Sequence, residues 1–119
     1  MYEEALGEIS AIELPSVRDG ITPAWHLYPI RLNQEHLRVG RQEIFAALRA
    51  ENIGVNVHYI PVHTHPYYRH RFGYKGGEYP VAEGAYQRLL SLPMYHGMIN
   101  DDARCVIEAV DKVMEHYSI

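Results

Sequence analysis

Only one cysteine, Cys105, occurs in 119 residues, so no internal disulfide can form. A reducing compartment is the corresponding expectation. Lysine is almost as scarce: of 11 basic residues only Lys75 and Lys112 are lysine. Tryptophan and phenylalanine contribute one and two residues. No apolar run approaches the roughly 18–20 residues that cross a bilayer, so no membrane association is expected. The start, Met1-Tyr2-Glu3-Glu4, lacks a signal-peptide pattern, and a cytoplasmic protein is the default. There is also no surplus of positive charge. The net charge is −4 with histidines neutral, which removes a general attraction to nucleic acid. A hydrophobic share of 47% and a charged share of 22% are ordinary for a globular core, and the length suits a single domain over residues 1–119. What the chain does hold in quantity is tyrosine and histidine, ten and eight residues. Tyrosine joins a large apolar ring to a hydroxyl, which suits interfaces and half-wet pockets.

Apolar spacing at Tyr2, Leu6 and Ile9 predicts a helix from Met1 to Leu14 that stops before Pro15. The pattern is under way at Met1 without a cap, and reads as the tail of an element begun earlier. Trp25 to Leu32 alternates as a strand, with His26, Tyr28, Ile30 and Leu32 on one face. Pro29 cannot donate to a ladder, which predicts an edge position or a bulge. Arg41 to Glu51 is the clearest helix, with Ile44, Phe45 and Leu48 on one stripe and Asn52 able to take the left-handed conformation after it. Val55 to Ile60 reads as a second strand stopped by Pro61. A glycine-rich turn at Gly73–Gly77, a short helix from Val81 to Leu89 and a third strand at Leu90–Pro93 follow. The last helix, capped at Asn100 and running to Tyr117, carries Val106, Val110, Val113 and Tyr117 on its apolar stripe. An α+β fold is expected, with a small antiparallel or mixed sheet of about three strands covered by helices on one face.

Four of the eight histidines fall between His58 and His70, interleaved with Tyr59, Tyr67 and Tyr68. His63 and His65 would share a face if extended and could begin a metal site. The spacing matches no standard zinc pattern, however, and no carboxylate or cysteine is adjacent in sequence. A substrate-facing loop and a purely structural role for these polar tips both stay open. Arg69 and Arg71 could grip a diphosphate or simply be solvated. Cys105 lies beside the last helix's apolar stripe and is expected to be packed. Ser91, in Leu-Ser-Leu-Pro, lacks the glycines of a nucleophile elbow. Lys112, four residues after Glu108, reads as a surface ion pair, and Lys75 sits beside glycine in the Gly73–Gly77 turn. Neither has the buried setting that a Schiff-base lysine needs, so no catalytic residue is expected.

The run Ala47 to His63, the strand His26 to Leu32, Pro66-Tyr67-Tyr68 and Leu90-Ser-Leu-Pro-Met-Tyr95 together resemble the DegT/DnrJ/EryC1/StrS sugar aminotransferases. The match spans nearly all of residues 1–117. Within that family, Asn56 to Tyr68 carries a narrower resemblance, to the branch that aminates a UDP-linked 4-keto-6-deoxyhexose in pseudaminic acid synthesis. The resemblance implies the C-terminal small domain of a fold type I, aspartate aminotransferase-like enzyme. The pyridoxal phosphate (PLP) lysine would then belong to a large domain, the parent would be a homodimer, and glutamate would be the amino donor. PLP would be the parent's cofactor, with none bound to this chain and no metal. By the same resemblance His58, Tyr59, His63, His65, Tyr67 and Tyr68 would border the nucleotide-sugar substrate. The chain alone would be inactive. Pro29 and Asn52 depart from the family's usual β-branched residue and glycine. A non-catalytic nucleotide-sugar binding module is the alternative, and a metal-binding or structural domain a weaker one.

Overall fold

The computed structural model describes all of residues 1–119. Its elements are α1 (Tyr2–Leu6), β1 (Ile12–Glu13), β2 (Tyr28–Leu32), α2 (Arg41–Ala50), α3 (Pro66–Phe72), α4 (Pro80–Arg88), β3 (Leu89–Leu92) and α5 (Asn100–Tyr117). The three strands form one antiparallel sheet in the order β1-β2-β3. The expected α+β fold is therefore present, and the mixed-sheet option is resolved as fully antiparallel.

Alternation decides which face of the sheet is dry. Tyr28, Ile30 and Leu32 of β2 are buried, and so are Leu90 and Leu92 beside them on β3. Side chains two residues apart point to the same face of a strand. Against this face lie Leu6 of α1, Ile44 and Leu48 of α2, and Val110 and Met114 of α5, all within one core. The other face carries Arg31, whose guanidinium reaches Glu13 directly opposite on β1 at 2.7 Å. That pair is nearly half exposed and contributes little, about 0–1 kcal/mol.

Pro29 neither bulges the strand nor places it at an edge. β2 is the central strand, and Pro29 pairs with Ser91 of β3. The ladder explains the tolerance. Ser91 gives its N–H to the Asn56 carbonyl (2.8 Å) and takes the Asn56 N–H on its own carbonyl (3.1 Å), so both of its backbone groups face away from β2. The Pro29–Ser91 position is thus a non-hydrogen-bonded pair, where proline has no bond to forfeit. On its other side β1 pairs only with Arg31 and Leu32.

Three expectations change, and one helix is added. The first helix ends at Gly7 instead of Leu14, and the chain turns to pair Ile12 with Leu32, a contact 20 residues away that local periodicity does not encode. Trp25 to Leu27 stays outside β2. Val55 to Ile60 forms no strand: only Asn56 pairs, in a single bridge with Ser91. The Asn56 side chain accepts the next amide, Val57 N–H, at 2.8 Å, a local bond that competes with ladder propagation. Finally, Pro66 to Phe72 is a helix, opened by proline at its first position and closed by Gly73 at φ 75°.

Three local readings also shift. Cys105 is exposed, not packed, because the buried stripe of α5 is Ala103, Val106, Ala109, Val110, Val113 and Met114. Lys112 does form a surface ion pair, but its partner is Glu51 of the segment after α2, at 2.7 Å across the α2–α5 contact, and not Glu108. Asn100 is the first helical residue, and Ile99 precedes it; the Asp102 carboxylate accepts the Ile99 N–H at 3.1 Å, tying down the helix start from inside. Asn52 does adopt the left-handed conformation, at φ 65°, which accounts for an asparagine where glycine would also serve.

Two outcomes test this packing. Leu48 is fully buried in the core, so Leu48→Ala should lower the unfolding free energy by about 2–5 kcal/mol in urea titrations. Tyr2 donates its hydroxyl to the Pro93 carbonyl at 2.8 Å, and burial, aided by Tyr95 and Tyr28, pushes its phenol up to about 12. A phenol raised in the folded state contributes fully below the ordinary tyrosine range and loses that contribution as pH climbs toward the folded value. The melting-temperature gap between wild type and Tyr2→Phe should therefore be constant near neutrality and shrink above about pH 10.

Candidate functional site

The segment from Asn56 to Tyr79 rises from the sheet at one anchored point. Asn56 is held by the Ser91 backbone, and the Ser91 hydroxyl lies 2.9 Å from Nδ1 of His58. His58 is thereby tied to β3, and its ring meets Tyr59 edge-on at 4.7 Å between centroids. The peptide between these two residues is cis. Tyr59 projects outward, 71% exposed.

His63 occupies the opposite environment. Residues Val62–Thr64 form a 3₁₀ turn, which turns His63 inward and leaves it the most enclosed imidazole of the cluster, 8% exposed. Its Nε2 sits 2.8 Å from Oε1 of Glu83 on α4. The same carboxylate accepts the Gly77 N–H on both oxygens, at 2.8 and 2.9 Å, and the Tyr79 N–H at 3.4 Å. The His63 hydrogen bond and then the Gly77 amide hold the Glu83 carboxyl below the usual carboxylate range. Gly77 has φ 90°, open to glycine and strained for other residues, so the turn can present its amide there. Glu78 organises the preceding turn in the same manner, accepting the Lys75 and Gly76 amides at 2.7 and 2.8 Å, and its carboxyl is likewise lowered, chiefly by the Lys75 amide.

Around this pair stands a run of aromatic rings. Tyr79 lies 4.7 Å from the His63 ring and Tyr74 lies 6.1 Å from it, while the two phenols share a 3.2 Å hydrogen bond. Phe72 continues the run at 5.9 Å from Tyr74, and Tyr68 stacks nearly parallel to Phe72 at 6.2 Å. These rings, with Val62 and His63, border a cavity of about 410 Å³.

The six sequence-derived candidates therefore divide. His58 is anchored to the sheet, and His63 is anchored to Glu83. Tyr68 belongs to the aromatic wall. Tyr59, His65 and Tyr67 are exposed, His65 with Nε2 3.3 Å from the Ile60 carbonyl and Tyr67 edge-on to Tyr68 at 5.2 Å. The shared face imagined for an extended His63 and His65 does not exist, because the 3₁₀ turn sends one inward and leaves the other at the surface. No group of three or more His, Cys, Asp or Glu side chains is arranged to hold a metal ion. Arg69 and Arg71 are exposed, and the Arg71 guanidinium lies over Phe72 at 5.5 Å.

Sequence reasoning missed Glu83, Phe72, Tyr74 and Tyr79. Glu83 lies 20 residues from His63, and no local pattern joins them. Phe72 and Tyr74 had a weak signal: proline and glycine bracket α3 as they bracket many helices, which would have placed their rings at its C-terminal end.

PLP needs a lysine amine in a desolvated setting for its Schiff base. Lys112 is two-thirds exposed and already paired with Glu51, and Lys75 is at the exposed turn. The residues of this chain do not make a Schiff-base site.

Comparison with known proteins places this geometry. The chain is 44% identical over 115 residues to the spore coat polysaccharide biosynthesis protein SpsC of Bacillus subtilis, covering 96% of this chain and 30% of that protein. It aligns with S. venezuelae DesV, solved in complex with a ketimine intermediate, at 31% identity and a TM-score of 0.84, covering 96% of this chain and 29% of that one. It also shares the fold of Helicobacter pylori PseC, an aminotransferase involved in the biosynthesis of pseudoaminic acid, at 23% identity and a TM-score of 0.84 over 98% of this chain and 30% of that one. The chain thus spans about 30% of the length of the relatives it matches. No helix is long and apolar enough to cross a membrane. Residues 1–111 match the DegT/DnrJ/EryC1/StrS aminotransferase family, and the chain belongs to it.

Proposed function

We propose that this chain is the small domain of a PLP-dependent aminotransferase, and that its His58–Tyr68 loop forms the nucleotide-sugar wall of the catalytic cleft. The observation that carries the reading is the family match over residues 1–111 in a chain whose two lysines are both exposed. The Schiff-base lysine, the acid facing the pyridine nitrogen and the phosphate cradle then come from a large PLP-binding domain, within a homodimer. When bound there, the cofactor supplies the electron sink for amino transfer from glutamate. This chain supplies binding and orientation only, and is inactive alone.

The substrate we favour is a UDP-linked 4-keto-6-deoxy sugar. The product would be close to UDP-4-amino-4,6-dideoxy-N-acetyl-β-L-altrosamine, in cytoplasmic synthesis of a surface glycan. Support comes from the Asn56–Tyr68 run and from the polysaccharide and pseudoaminic acid roles stated for SpsC and PseC. Tyr59, His65 and Tyr67 are exposed on a loop whose two histidine anchors, His58 and His63, fix its path. Exposed phenols and imidazoles held in this way can bond to sugar hydroxyls and diphosphate oxygens.

Two measurements test the reading. After incubation with equimolar PLP and borohydride reduction, peptide mass spectrometry should find only the sparse, unselective pyridoxyl labelling of exposed amines on Lys75 and Lys112; stoichiometric labelling confined to one of them would overturn the assignment of the lysine to another domain. In a chimera with the chain in place of the corresponding segment of SpsC, Tyr59→Ala and His65→Ala should each raise KM for the nucleotide sugar about tenfold, the cost of one hydrogen bond to a charged group. The half-reaction with glutamate should be unchanged, and a loss confined to that half-reaction would contradict the proposed wall.

A further inference from the structure

The cavity beside His63 borders an enclosed imidazole whose bonding is unfinished. Nε2 of His63 faces the Glu83 carboxylate at 2.8 Å, and that is the only hydrogen bond the ring makes. A carboxylate only accepts, so Nε2 must carry the proton, and in the neutral ring Nδ1 is left as a bare acceptor. No sealed polar side-chain atom in the chain lacks a partner, so the unpartnered Nδ1 keeps some accessible surface, on a ring that lines the cavity. The neighbouring phenols of Tyr74 and Tyr79 bond to each other at 3.2 Å, which uses one of their two O–H donors and leaves the other for a ligand carbonyl. The remaining walls are flat and apolar, with Phe72 and Tyr79 both well exposed. A flat ring that stacks on aromatic faces and offers one N–H at its edge meets every one of these features.

We infer that this cavity is a subsite for a pyrimidine base with a ring N–H, received by Nδ1 of His63, and that Glu83 is the positioning residue that holds His63 in the receiving tautomer. The inference rests on the proposal above that the ligand is a UDP-linked sugar, and it assigns the uracil ring to one place in the chain. Glu83 touches no ligand. It acts through His63, and through the Gly77 amide that it also holds, which keeps Tyr79 beside the imidazole. Uracil has the donor at N3, whereas cytosine has an acceptor there and would meet Nδ1 with lone pair against lone pair. A site built around one hydrogen bond rejects the ring that cannot make it.

The test is a titration of the purified chain, labelled with ¹⁵N-histidine, by uridine, cytidine and UDP near pH 7.5. The free protein should show His63 as the Nε2–H tautomer. Uridine should shift its Nδ1 resonance saturably, and cytidine should bind at least about tenfold more weakly. Glu83→Gln should fold, mix the two tautomers and weaken uridine by a similar factor. Phe72→Ala alters only an exposed ring; it should leave the tautomer intact and still weaken uridine roughly fivefold or more through lost stacking. The inference is overturned if uridine up to about 10 mM leaves the His63 signals unmoved, if cytidine binds equally well, or if His63 is the Nδ1–H tautomer. Should UDP move the His58 and His65 signals and spare those of His63, the subsite fails while the proposed wall stands.

Discussion

The arrangement depends on which way one residue of β3 faces. Pro29 stands opposite Ser91 at a position of the ladder where neither strand offers the other a hydrogen bond. The Ser91 amide and carbonyl are therefore free on the far side and capture Asn56. One peptide unit of pairing is enough to fix where the loop begins. The Ser91 hydroxyl then receives His58, so the same residue sets both the departure point of the chain and the orientation of its first imidazole.

A second constraint operates in the first turn of α4. The Glu83 carboxylate gathers groups from three stretches of chain: His63 from the 3₁₀ turn, Gly77 from the glycine turn, and Tyr79 at the start of α4. A carboxylate has about four lone-pair directions, and here most of them are used. Its ionised state is favoured by those same bonds, which is why its acidity is increased while it remains near the surface. Between the Ser91 anchor and the Glu83 anchor, Tyr59 and His65 are held outward by a backbone that is fixed at both ends. Function in this family member, as we propose it, is a property of that suspended segment more than of the sheet beneath it.

The core beneath is conventional and does separate work. Ile30, Leu32 and Leu90 supply one layer, and Ile44, Leu48, Val110 and Met114 supply the other. Cross-strand and surface ion pairs such as Arg31–Glu13 sit on the wet face, where screening leaves them little weight. Stability therefore comes mainly from apolar burial, and polar geometry is concentrated where the loop is tied down.

Periodicity by itself determined the elements whose apolar spacing is long and whose ends are marked: α2 with Asn52 after it, α5 with its stripe, and the buried face of β2. The shared run of residues also placed the chain among sugar aminotransferases before any geometry was known. Only the tertiary structure decided that Ile12 pairs with Leu32, that Val55 to Ile60 contributes a single bridge, that Cys105 is exposed, and that His63 is tied to Glu83 while His65 is not. The reason is physical. A helix satisfies its backbone within four residues, so its signature is local. A bridge to Ser91 from 35 residues upstream, or an imidazole–carboxylate bond spanning 20, depends on how separate elements meet, and no spacing along the chain records that meeting.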